Sequence, residues 1–427
     1  MQEASLSALT LHPHDLTGLD AKPPANLAAS RRFSIWEITS WILPMAPEHL
    51  RRVLAAHPDL PQGQAGVEGG TRWFSALDLA TLRAHFAGTS RRDRWQPRRP
   101  GGAPAPLITF AQPLGAVGRS RAALTLAVGA ALAGWRVLLI EADPAGHLAT
   151  TLAPENAPEP VGDGVLSILA RDAALSLRRL NEGRFHRGEV PLPVDDLLAA
   201  AQTLRPQALI RPSRWPGLDL LAPQPGGLAL ADLRLGDWRQ MQRGWQPWGV
   251  LAQTLNDGLR DRYDLIFCDP GRGLGPLALS MLASADVLLA PLPQTGEPGL
   301  LQGLGQLGDA MAMIQSEARM TARALGQPAP DMGWRRLLVL PMGAGPVPAL
   351  TGFAAKPGVQ VLPATLPDLP DTDTPLRHLY DLDYRALGRL AYAPRRAATE
   401  AALTALIQAV QSLWAQDVTR QGHLPLT

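Results

Sequence analysis

The stretch PLGAVGRSRAALTLA (113–127) combines residue types that could hold a polyphosphate. The apolar run LITFAQ (107–112) precedes it and an Ala-rich run follows. A strand, a Gly-containing turn and a helix, in that order, aim backbone N–H groups at an anion, and the positive end of the helix favours it. Gly115 and Gly118 let the backbone approach the phosphates closely. Arg119 adds a cation, and the Ser120 hydroxyl is placed to ligate Mg²⁺. Gly-containing turns also serve ordinary strand–helix connections, so this one needs support from elsewhere in the chain. A second set of residues suits DNA. APEHLRRVLAAH (46–57) has helical spacing and presents Arg51 and Arg52, and the Gly-rich segment after it presents Arg72. Arginines so placed could anchor phosphates or read guanine in the major groove. A solvated helix face is the plainer reading of Arg51 and Arg52.

The elements that must position these residues fall into two parts. From 107 onward, short apolar runs alternate with helical stretches: LITFAQ (107–112), a helix from about 119 to 133, WRVLLIEAD (135–143), RYDLIFCDP (262–270), ADVLLAPLP (285–293) and RRLLVLPM (335–342). This pattern predicts an α/β fold, a doubly wound, mostly parallel sheet covered on both faces. Before it, FSIWEITSWIL (33–43) and residues 46–57 read as helices, PQGQAGVEGGTRWFS (61–75) as a turn or wing, and SALDLATLRAHF (75–86) as a third helix. Ser75 is its expected N-cap, with Asp78 at the third helical position. The expected divisions are a flexible segment at 1–30, a small module at 31–88, an Arg/Pro-rich linker at 89–106 and the sheet domain at 107–427. The linker arginines fit either a solvated tether or a strip against DNA phosphates.

Three landmarks now occur in a fixed order, and through them the chain resembles the ParA/MinD family of deviant P-loop ATPases. The family's loop reads KGGVGKTT; here those places are Leu114, Gly115, Ala116, Val117, Gly118, Arg119, Ser120 and Arg121. The lysine that reaches across the family's nucleotide-sandwich dimer falls on Leu114, and the P-loop lysine falls on Arg119. An arginine there replaces a compact ammonium with a wide planar fork. VLLIEADPAGHLATTL (137–152) resembles LLIDLDPQGNATTGL, which puts Asp143 in the place of the water-orienting aspartate and Glu141 in that of another acid. YDLIFCDPGRGLG (263–275) resembles YDVVIIDCPPSLG, which implies that Asp269 holds the water shell of Mg²⁺. Within the family, the N-terminal segments and IRPSRWPGLDLLAPQ (210–224) are similar to plasmid-partitioning RepA of repABC-type replicons.

The resemblance implies a ParA-like P-loop domain behind a winged helix-turn-helix module. It also implies ATP and Mg²⁺ as cofactors, double-stranded DNA and a ParB-like protein as partners, a homodimer, and a cytoplasmic place on nucleoid or plasmid. The two replaced lysines imply weak or lost hydrolysis. Two other readings remain: a catalytically inactive ParA-like scaffold serving a DNA-binding transcriptional regulator, or a ParA-like positioning protein for a cytoplasmic cargo. The segment PMGAGPVPALTG (341–352) carries no charge where the family has a basic, polar one.

Composition limits the alternatives. Hydrophobic residues make up 46% of 427, enough for a large core. Cys268 is the sole cysteine, which excludes an intrachain disulfide framework and suits a small core residue. The nine histidines show no metal spacing. Lys22 and Lys356 are the only lysines, so the other basic residues are arginine. No apolar stretch is long enough for a bilayer span, and the final helix (398–414) lacks the basic face of a membrane-binding helix. Trp238, Trp245 and Trp248 read as packing residues.

Overall fold

Apolar runs without a polar face can form strands only where both faces are buried, and five such runs build the centre of the molecule. A computed structural model describes residues 31–65, 71–89, 92–112, 118–154, 157–158, 160–293, 298–326, 328–329, 332–343, 358–368 and 378–422. The expected segment 1–30 lies outside these. The main sheet contains β4 (Leu107–Phe110), β5 (Val137–Glu141), β6 (Ile210–Pro212), β7 (Leu218–Leu221), β8 (Leu265–Asp269), β9 (Val287–Pro293), β10 (Arg336–Met342) and β11 (Val359–Val361). Their spatial order is β11-β10-β9-β4-β8-β5-β7-β6. Among the described strands of this sheet, every pairing is parallel except that of β6 with β7.

Side chains alternate across this sheet because successive Cβ atoms point to opposite faces. Ile108, Phe110, Val137, Leu139, Leu265 and Phe267 join one core, which the helix Arg119–Leu132 and the C-terminal helix Arg389–Gly422 cover. Leu107, Leu138, Ile140, Ile266 and Cys268 join a second core on the other face, under the helices Val165–His186, Ala231–Met241 and Val250–Asn256. The sheet is therefore doubly wound. Each side chain fully buried in this way contributes about 1.5–3 kcal/mol. Trp238 and Trp245 are buried and donate indole N–H bonds to Asp195 and Asp172, both 2.7 Å, so they pack as expected.

Residues 31–89 form a smaller antiparallel sheet, β1 (Arg32–Ser34), β3 (Arg72–Ser75) and β2 (Gln64–Ala65) in that order, around the helices Pro47–Ala56 and Ala76–Thr89. The expected helix over 33–43 is divided. Ser34 caps a turn at Ile35–Glu37: its Oγ accepts the Glu37 N–H, and the Glu37 carboxylate accepts the Ser34 N–H. This capping box starts the helix at 35 and leaves Phe33 to pair with Phe74 in the sheet. A π-helical stretch, Ile38–Ile42, follows. Ser75 and Asp78 form the expected cap, with reciprocal bonds of 3.1 and 2.8 Å.

This module shares its core with the main sheet: Phe33, Ile38, Leu50, Phe74 and Leu82 belong to the same cluster as Leu126 and Leu406. The described part of the expected linker is packed as well. Trp95 is buried, Arg98 donates to Gly134 O and Arg99 to Tyr263 O. Buried Arg83 joins the parts most directly. Its guanidinium donates to the carbonyls of Ile42, Trp95, Leu132 and Ala133, two of which end the helix Arg119–Leu132. Burial lowers its pKa to about 10, against the pull of Glu400.

Candidate functional site

Strands β4, β8 and β5 are neighbours, and all three point their carboxyl ends the same way. From β4 the chain crosses to β5 on one side, and from β8 to β9 on the other, so the direction of winding reverses here. Such a switch point opens a crevice at the strand ends. Gln112 follows β4, Asp143 follows β5 and Asp269 ends β8. Gly118 caps the helix Arg119–Leu132 at φ 71°, a left-handed conformation that costs glycine little. Leu114, Gly115, Ala116 and Val117 lie outside the described residues.

Arg119 does not point along the surface. It is buried, and its Nε donates to Asp269 Oδ1 at 2.6 Å. One terminal nitrogen donates to Gln112 O at 2.9 Å, and the other lies 3.5 Å from Asp143 Oδ2. The fork thus ties together the ends of three strands. Contacts between ionised partners are shorter and about twice as strong as neutral hydrogen bonds. Asp269 is fully buried; its Oδ1 also accepts the Gly271 N–H at 3.3 Å, while its Oδ2 has no hydrogen-bond partner among the described residues. Both side-chain amide atoms of buried Gln112 are likewise unpartnered there. Buried polar atoms without partners are costly, and these belong to residues at adjacent strand ends.

The remaining residues take supporting positions. Asp143 is partly exposed, and its Oδ1 accepts the Ala145 N–H at 3.0 Å, which shapes the turn. Ser120 and Arg121 are half-buried on the first helical turn. Glu141 is buried and caps the helix His147–Leu152, accepting from Leu148 and Ala149 N–H at 2.7 Å each. Burial pushes its carboxyl up to about 8 against those two bonds, with Asp269 and Asp143 pushing the same way. Gly271 has φ 77°, and a Cβ there would lie 2.9 Å from Ala142 O, so the loop after β8 can rest directly on the turn after β5. Cys268 is a core residue whose thiol is pushed up by burial.

These residues fit the phosphates of a nucleotide. A helix N-terminus without acidic residues in its first turn, Arg119 and the unpartnered side-chain amide of Gln112 stand at these strand ends. The fit to a divalent cation is different. Ser120 and the free Asp269 oxygen suit it, but the Arg119 guanidinium lies between the two aspartates. Gln112, Gly271 and Arg83 were not legible as functional positions. For Arg83 there was a signal: it shares a helical face with Leu79, Leu82 and Phe86.

Arg51 and Arg52 lie on the helix Pro47–Ala56 of the small module and Arg72 on its strand β3. All three are exposed. Arg51 pairs with Glu48 at 3.2 Å, and Arg72 donates to Gln62 O at 3.0 Å. Among the described residues there is no cluster that could hold a metal through His, Cys, Asp and Glu, and no helix is long and apolar enough to cross a membrane.

No family model matches the chain. It is 24% identical over 443 residues to a protein of Sinorhizobium fredii named replication protein A, covering 98% of this chain and 95% of that one. A protein of the same name from Rhizobium rhizogenes is 26% identical over 310 residues, or 71% of this chain; the match spans 65% of that relative, just under two thirds. A solved structure described as a partition protein has the same fold, with a TM-score of 0.52 and 16% identity over 90% of this chain and 93% of that one.

Proposed function

We propose that this chain is a member of the ParA/MinD-type family of partition ATPases, a plasmid- or chromosome-partitioning protein that binds double-stranded DNA and carries an altered ATP site. One observation supports it most: Gly118, Arg119, Asp143 and Asp269 meet at adjacent strand ends although Arg119 and Asp269 are 150 residues apart in the chain. In this reading the amides of Gly115, Ala116, Val117 and Gly118, with Arg119 and Arg121, hold phosphates. Ser120 and Asp269 serve Mg²⁺, and Asp143 orients water. Mg-ATP, when bound, supplies the phosphoanhydride whose loss would end a homodimeric, DNA-bound state. The helix Pro47–Ala56 lies in the major groove, with Arg51 and Arg52 on phosphate or base edges and Arg72 on a wing. A ParB-like partner and a place on nucleoid or plasmid in the cytoplasm go with this function.

The position of Arg119 favours a second reading, a DNA-binding regulator that keeps the ATPase fold as a scaffold without turnover. Two measurements on the full chain test them: the first examines the DNA binding that both require, and the second separates them. Duplex-DNA binding by fluorescence anisotropy falls at least about tenfold in Arg51→Ala/Arg52→Ala, with a shallower salt dependence; unchanged binding removes the module from DNA recognition. Calorimetric titration with Mg-ATP gives heat that Asp269→Ala abolishes. No binding up to about 1 mM, an affinity weaker than roughly −4 kcal/mol, leaves only the scaffold.

A further inference from the structure

A guanidinium between two carboxylates does part of what a divalent cation does: it neutralises both and fixes their separation. In this crevice Arg119 engages three partners, one on each strand end. Nε meets Asp269 at 2.6 Å, one terminal nitrogen meets Gln112 O at 2.9 Å, and the other faces Asp143 at 3.5 Å. Its side chain is 7% exposed and that of Asp269 is 0% exposed, so water screens this cluster little. A cation entering between the aspartates would meet the guanidinium already seated there, and little water screens the repulsion between the two positive charges. Oδ2 of Asp269 is buried and has no hydrogen-bond partner among the described residues, so this carboxylate keeps unused acceptor capacity.

We propose that Arg119 is a built-in substitute for the divalent cation, holding Asp269 and Asp143 together and keeping Mg²⁺ out while no nucleotide is present. This rests on the nucleotide-site reading for its purpose, but not for its test. The planar fork is what makes the arrangement possible: it spreads its N–H groups over several ångströms, whereas a lysine concentrates three donors at one point. Phosphate oxygens compete with the carboxylates for the same fork. Nucleotide would therefore draw Arg119 off Asp269 and so admit the metal, which makes metal and phosphate binding interdependent.

The test is thermal unfolding of the full chain without nucleotide or DNA, in EDTA and in about 10 mM MnCl₂ as the metal probe, where binding to the folded state alone raises Tm by about 3 °C or more. Wild type is expected to melt at the same temperature in both. Arg119→Gln is expected to melt lower in EDTA and to recover with Mn²⁺, and adding Asp269→Asn should abolish that recovery. Arg119→Lys keeps the charge and guards against a Gln variant that does not fold; it should show a smaller rise with Mn²⁺. Wild type stabilised by Mn²⁺ as much as the variants overturns the proposal. So does a folded Lys variant that ignores the metal. Because neither ATP nor DNA is present, that failure would leave the partition reading intact, and loss of ATP binding in calorimetry would leave this one intact.

Discussion

Arg119 shows how one side chain changes the chemistry of a loop whose neighbours keep their types. Its position at the start of a helix suits a phosphate contact, yet its length and planarity let it turn back onto Asp269. Removing only one member of a buried pair leaves an uncompensated charge, which is why single substitutions here are expected to destabilise as well as to alter binding. Gly271 is the other decisive residue at this scale. Its φ of 77° and the 2.9 Å approach of a virtual Cβ to Ala142 O leave no room for a side chain. Gly271→Ala is expected to cost about 1–3 kcal/mol, read as a lower urea midpoint. Because Ala142 precedes Asp143, it should also weaken Mg-ATP binding. An unchanged midpoint would show that the loop relaxes freely.

Single elements carry their own consequences. The segment at 378–382 closes over the seam between the small module and the main sheet, where Tyr380 O accepts from Arg31. His378 is fully buried there, beside the rings of Trp215 and Tyr380 and 3.0 Å from Asp381 Oδ2. Burial holds its pKa down to about 4; Arg214, Arg396 and Arg31 act the same way and Asp381 opposes them. Since an unfolded histidine titrates near 6.5, the unfolded chain binds more protons between pH 6.5 and 4. The contribution is complete above about 6.5 and is lost as pH falls toward 4, at up to about 1.4 kcal/mol per pH unit. Urea midpoints at pH 7 and pH 5 should therefore differ more in wild type than in His378→Phe. Equal differences would place the acid sensitivity elsewhere.

At the scale of the whole molecule, the module and the sheet domain share one core and Arg83 is their fastener. They are expected to unfold in a single transition, the same by near-UV and far-UV circular dichroism. Arg83→Ala leaves four carbonyls without their donor, at about 1–3 kcal/mol for each that stays buried and unsatisfied. The expected result is a lower Tm and a separate, earlier melting step for the module. A single undivided transition in that variant would show that apolar packing alone couples the two parts.

The sequence by itself determined the elements whose pattern is local. The runs at 107–112, 135–143, 262–270, 285–293 and 335–342 are apolar enough that only a buried strand accommodates them, and the order of strand, Gly turn and helix marked Gly118, Arg119 and Ser120. Asp143 and Asp269 were marked by the resemblance of 137–152 and 263–275 to ParA/MinD segments; one follows β5 and the other ends β8. Strands β6, β7 and β11 went unread, since three or four residues with mixed exposure carry no period of their own. The division at Ser34 needed its reciprocal cap to be seen. Only the tertiary structure decided that Arg119 bridges Asp269 and Asp143, that Arg98 and Arg99 of the expected linker bond to the domain, and that Arg83 ends a helix about 50 residues away. Those facts depend on which strand ends become neighbours. A charged side chain takes its partner from the space around it, and no spacing along the chain specifies that space.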